Sequence, residues 1–161
     1  MRKVLMVVGV VAGGALLALA PASASAAGSG HTVTSTQNTH GQWTEQDVNP
    51  CNGDVLDVMF DGNMVQHVTF FPASDEVWAT FTETGKVQAT DEGTGVVYTG
   101  RATAWGNFVM NRQNANQTFT LNVMATGSDG SLLIAHDNGH FALNANGVVT
   151  VTFDKLNLTC G

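Results

Sequence analysis

The sequence predicts an all-β protein: an antiparallel β-barrel of about eight strands, or a two-sheet sandwich as the alternative. Three observations predict it. From Gly53 onward, apolar residues recur at every second position, the period of a strand with one buried face. Turn signals rich in Gly, Asn, Asp and Pro interrupt that rhythm at short intervals, as strands joined by tight turns require. Beyond residue 27, no run of about ten residues shows helical spacing.

The N-terminus reads separately. Arg2 and Lys3 precede an uncharged run from Val4 to Ala20, then Pro21 and small residues from Ala22 to Ala27. That order of charged, apolar and small segments is the order of a secretory signal peptide. An Ala-x-Ala site places cleavage after Ala24 or Ala26, so residues 1–26 are expected to be removed and the protein to be extracellular. Residues 27–48 are polar and read as a flexible leader that becomes a first edge strand around Trp43. Residues 49–161 read as a single all-β domain.

Within that domain, Phe119, Leu121, Val123 and Ala125 alternate with Thr118, Thr120, Asn122 and Met124. Tyr98, Ala102, Ala104, Phe108 and Met110 fall on even positions, and predict one long strand or two joined at Gly106. Leu133 and Ala135 share a face with Phe141 and Leu143. Further strands are expected over 55–60, 64–71, 77–84 and 86–90, with turns at Asp61-Gly62-Asn63, Pro72 to Asp75, Thr84-Gly85, Glu92 to Gly95, Gly127 to Gly130 and Asn144 to Gly147. In the last strand, Val149, Val151 and Phe153 are odd but Leu156, Leu158 and Cys160 are even. Shifting the buried face by one residue calls for a β-bulge near Asp154-Lys155.

Cys51 precedes the first strong strand and Cys160 ends the last. In an exported chain, two cysteines allow one intrachain disulfide, the alternatives being free thiols or a bridge between chains. An intrachain bridge brings the first and last strands together, which favours a closed barrel.

Charge and motifs exclude more than they assign. Without residues 1–26, the chain keeps four basic residues, Lys86, Arg101, Arg112 and Lys155, against 13 Asp and Glu, a net charge of −9. Phosphate backbones and anionic membranes repel such a chain, so neither nucleic acid nor membrane is an expected partner. No Gly-x-Ser-x-Gly elbow, phosphate loop or calcium loop is present. No cofactor, metal or catalytic residue is assigned. His136 and His140 lie four apart on a strand, about 13 Å along it at ~3.3 Å per residue, too far to share one ion. Facing a lumen, the row His136, Asn138, His140 would offer hydrogen bonds to a ligand; facing outward, it would be a solvated surface. His67, Tyr98 and Trp105 complete the set of candidate ligand contacts.

The segment Asn49-Pro50-Cys51-Asn52-Gly53-Asp54, the pair His136-x-x-x-His140, the run from Asn144 to Thr150 and the terminal Cys160 resemble a group of small secreted bacterial proteins of unknown function. The resemblance implies a disulfide between the two cysteines and a small β-barrel, and implies no activity. The expected function is non-enzymatic binding of a small, partly apolar ligand inside the barrel. The alternatives are a hydrolase or cyclase using His and Asp as acid and base, and an extracellular module that binds a protein through an outer apolar patch.

Overall fold

The computed structural model describes residues 31–161; residues 1–26, expected to be a signal peptide, lie outside them. Seven strands form a single antiparallel sheet in chain order: β1 (Val33–Val48), β2 (Val55–Phe71), β3 (Glu76–Asp91), β4 (Val97–Met110), β5 (Asn114–Gly127), β6 (Leu132–Asn144) and β7 (Val149–Cys160). The all-β expectation holds, with seven strands where about eight were expected. Alternation along each strand gives the sheet an inner face and an outer face. Leu56, Ala89, Tyr98, Ala125 and Leu133, from five different strands, pack into one core on the inner face.

Several expected turns are not turns. Asp61-Gly62-Asn63 and Thr84-Gly85 lie inside β2 and β3, where Gly62 and Gly85 pair directly. The reason is steric: a Cβ at either glycine would overlap the Phe60 ring. The rings of Phe81 and Phe119 likewise occupy the space over Gly106 and Gly139. Glycine here makes room for an inward aromatic of its own or a neighbouring strand, and the strands run on through it. The bulge is also displaced. The β6–β7 register is continuous past Asp154 and Lys155 and shifts instead at Ala142/Leu143.

Residues 33–48, read as leader with an edge strand near Trp43, pair with β2 over their whole length, from Val33↔Phe70 to Val48↔Val55. Their polarity fits an edge strand whose first half is exposed on both faces. The weak apolar signal therefore hid a full strand.

The turn between β1 and β2 carries the Asn-Pro-Cys-Asn-Gly-Asp segment, and its polar side chains have definite work. Asn49 Nδ2 and Asn52 Nδ2 donate to Asp91 Oδ2 at 2.6 and 2.9 Å, and the Thr94 backbone N–H donates to Asp91 Oδ1 at 2.8 Å. The Cys51 N–H donates to Asn49 Oδ1 at 2.9 Å. Asn49 and Asp91 are both fully buried. These donors, led by the two asparagines, hold the Asp91 carboxyl well below the usual carboxylate range. The clasp fixes Cys51 against Cys160, and the disulfide forms with Cα atoms 5.8 Å apart. It joins the turn beside one sheet edge to the end of the other edge strand.

Two outcomes follow from this clasp. The double variant Cys51→Ala/Cys160→Ala is expected to lose about 4 kcal/mol, the loop-closure value for the span it releases, measured by urea unfolding. Asn49→Ala is expected to lose about 2 kcal/mol by leaving a buried acceptor short of a donor. Because Asn49 also seats Cys51, the combined loss falls short of the sum. The Asp91 contribution exists above the ordinary carboxylate pKa of about 4 and disappears as pH falls below it.

Candidate functional site

The inner face encloses a cavity of about 120 Å³. Every strand contributes to its wall, through Trp43, Phe60, Val87, Ala102, Val123, Ala135 and Leu156 from β1 to β7 in turn. Trp43 stacks on Phe60 with ring centroids 4.6 Å apart. The space exists because the inward positions of β4, β5 and β6 carry small side chains, Ala102, Ala104, Ala125 and Ala135, all buried. A volume near 120 Å³ is close to that of engineered apolar cavities that hold one benzene.

Carboxylates interrupt the apolar wall. Glu45 and Asp47 of β1, Glu83 of β3 and Asp137 of β6 all line it. Glu83 and Asp137 are each only 2 % exposed, and Glu83 Oε2 and Asp137 Oδ1 have no hydrogen-bond partner. They occupy one row across the sheet, since Glu83 pairs with Ala104, Ala104 with Leu121 and Leu121 with Asp137. Burial pushes the Glu83 carboxyl up to about 7, with the Glu45 charge adding to the effect. Burial first, and then the Asp154 carboxyl hydrogen-bonded to it, together push Asp137 up to about 6. Glu45 is raised as well, by burial first and by Asp47 second. Lys86, Arg101, Arg112 and Lys155 are all exposed, so none neutralises this interior.

Among the residues expected from sequence as ligand contacts, Tyr98 lines the cavity. The others alternate to the opposite face. His67 is exposed, its Nδ1 2.7 Å from the Thr36 hydroxyl. Trp105 is 43 % exposed and borders a shallow outer groove with Thr80, Thr82, Asn107, Thr118 and Thr120. His136 and Asn138 form a hydrogen-bonded row: the Thr120 hydroxyl donates to Asn138 Oδ1 at 2.9 Å, Asn138 Nδ2 lies 2.8 Å from His136 Nε2, and His136 Nδ1 bonds Asn122 Oδ1. Both His136 ring nitrogens are thus engaged in hydrogen bonds with neighbouring side chains. His140 shares their strand parity, and its Nδ1 is buried without a partner.

No histidine lines the cavity. The His–carboxylate approach on the outer surface is His40 to Asp61, at 3.6 Å and well exposed. Among the described residues, no group of three or more His, Cys, Asp or Glu is arranged to hold a metal ion. Comparison with known protein families, curated proteins and solved structures finds no match, so the functional reading rests on this geometry.

No sequence motif marks Glu83 or Asp137 as part of a site. The signal was their parity: Glu83 shares odd positions with Val77, Ala79 and Phe81, and Asp137 with Leu133 and Ala135. A carboxylate on the apolar parity of a strand points into the core.

The raised carboxyls give a pH dependence of definite sign. Between about pH 4 and 7 the folded chain holds protons that the unfolded chain has released, so stability falls as pH rises through that window. Glu83→Gln is expected to flatten this slope and to add about 1–2 kcal/mol at pH 8. Urea unfolding at pH 5 and pH 8 measures it.

Proposed function

We propose that the coiled sheet is a β-barrel and that the protein is secreted and binds a small, partly apolar ligand in its interior. The observation that carries this reading is the apolar cavity, walled by all seven strands and entered by two buried carboxyl groups, each with one oxygen, Glu83 Oε2 and Asp137 Oδ1, left without a hydrogen-bond partner. Protein interiors pack closely and pair their buried polar groups. An interior that does neither, in one place, is built around something else. The disulfide supports both parts of the reading: it ties one edge of the sheet to the other, and it is a bond that persists in extracellular compartments.

The ligand is small. A cavity of about 120 Å³ falls below the range of drug-sized pockets, which begins near ~300 Å³, and admits a body of about one ring. Tyr98 and Trp43 supply aromatic wall, and the alanines of β4 to β6 set the depth.

Filling the space tests the reading. Ala102→Leu places a larger apolar side chain in the cavity while keeping the surface unchanged. It is expected to abolish the uptake of small aromatic probes, followed by xenon or benzene shifts in NMR spectra, while the fold, followed by circular dichroism, is retained. Unchanged uptake in the variant contradicts binding at this place.

A further inference from the structure

We infer that the ligand of this cavity is a small organic cation, an amine with an apolar body of about one ring, whose ammonium group is held by Glu83 or Asp137. The inference deepens the binding reading above and rests on it.

The argument begins with the charge of the wall. The titratable groups facing the interior are Glu45 and Asp47 from β1, Glu83 from β3, Tyr98 from β4 and Asp137 from β6, with Asp154 of β7 beside Asp137. β2 and β5 contribute only apolar residues to the cavity. Every ionisable carboxyl in that set is acidic, and no basic side chain opposes them. Acidic residues alone would be weak grounds. The second observation is that Glu83 and Asp137 are almost completely buried, aim into the cavity, and leave Glu83 Oε2 and Asp137 Oδ1 without a donor. A buried carboxylate accepts and cannot donate, so what it lacks is a donor, and the donor that offsets its desolvation best is charged. The walls around it are alanine, leucine, valine and aromatic side chains. They demand that the rest of the ligand be apolar. A metal ion fits neither demand: it would need several converging ligands, and the described residues present no such group.

Proton linkage gives the inference a signature beyond affinity. With no cation present, the Glu83 carboxyl, raised to about 7, and the Asp137 carboxyl, raised to about 6, keep their protons to higher pH than free carboxyls do. An ammonium favours the ionised carboxylate, so binding must expel a proton. Amine affinity therefore rises from about pH 6 to pH 8, and falls only when the amine itself loses its charge.

Isothermal titration calorimetry of the disulfide-intact protein with benzylamine and benzyl alcohol, and with hexylamine and hexanol, tests this. The expected result is that each amine binds at least ~10-fold more tightly than its alcohol, as a charge-assisted bond in a buried site implies. Repeating the titration in buffers of different ionisation enthalpy at pH 6 is expected to show net proton release on binding each amine. Glu83→Gln or Asp137→Asn is expected to reduce the preference for amine over alcohol about tenfold or more, and Trp105→Ala on the outer face to leave it unchanged. Equal binding of amine and alcohol, or no proton release, overturns the cation inference and leaves interior binding standing. Binding of neither kind overturns interior binding as well.

Discussion

The covalent link between Cys51 and Cys160 is the constraint on which the rest of this molecule depends. A seven-stranded meander has two edges, and each edge strand here is exposed along much of its length. Edge strands left open invite pairing with other chains. The disulfide ties the turn after β1 to the end of β7. Its position is not left to the cysteines alone. Asn49 and Asn52 grip Asp91 at the end of β3, and Asn49 holds the Cys51 backbone. The Asn-Pro-Cys-Asn-Gly-Asp segment is thus a structural clasp.

The interior is organised around an internal conflict. Leu56, Tyr98, Leu133 and their neighbours supply the apolar burial that holds the fold, while Glu83 and Asp137 oppose it from the same face. A glutamine or an apolar side chain of similar size at Glu83 would serve stability better at neutral pH. Two buried carboxyls, each with one oxygen left without a partner, beside a cavity walled by alanine are what the proposed binding of a ligand accounts for. Raised carboxyl pKa values in a concave, apolar place are also the physical mark of functional sites in general.

The strand rhythm, the turns at Pro72 to Asp75, Glu92 to Gly95, Gly127 to Gly130 and Asn144 to Gly147, and the pairing of the cysteines were legible in the sequence. The length of the strands was not, because Gly62 and Gly85 look like turn residues until Phe60 is seen lying over them. That is a tertiary contact, invisible to local pattern. β1 was hidden for the opposite reason: an exposed edge strand needs few apolar residues. The site was legible in one residue, Tyr98. The histidines drew attention by type, yet strand parity sends His136 and Asn138 outward into a hydrogen-bonded row with Thr120 and Asn122. The same parity rule, applied to Glu83 and Asp137, points to the cavity.

The most direct test of the central claim is a crystal structure of the protein purified without added ligand from the medium of its own host. The account predicts density for a body of about one ring inside the cavity, with a polar atom within hydrogen-bond distance of a Glu83 or Asp137 carboxyl oxygen. An interior closed by side chains, or one in which both carboxyls are satisfied by protein groups alone, would contradict it.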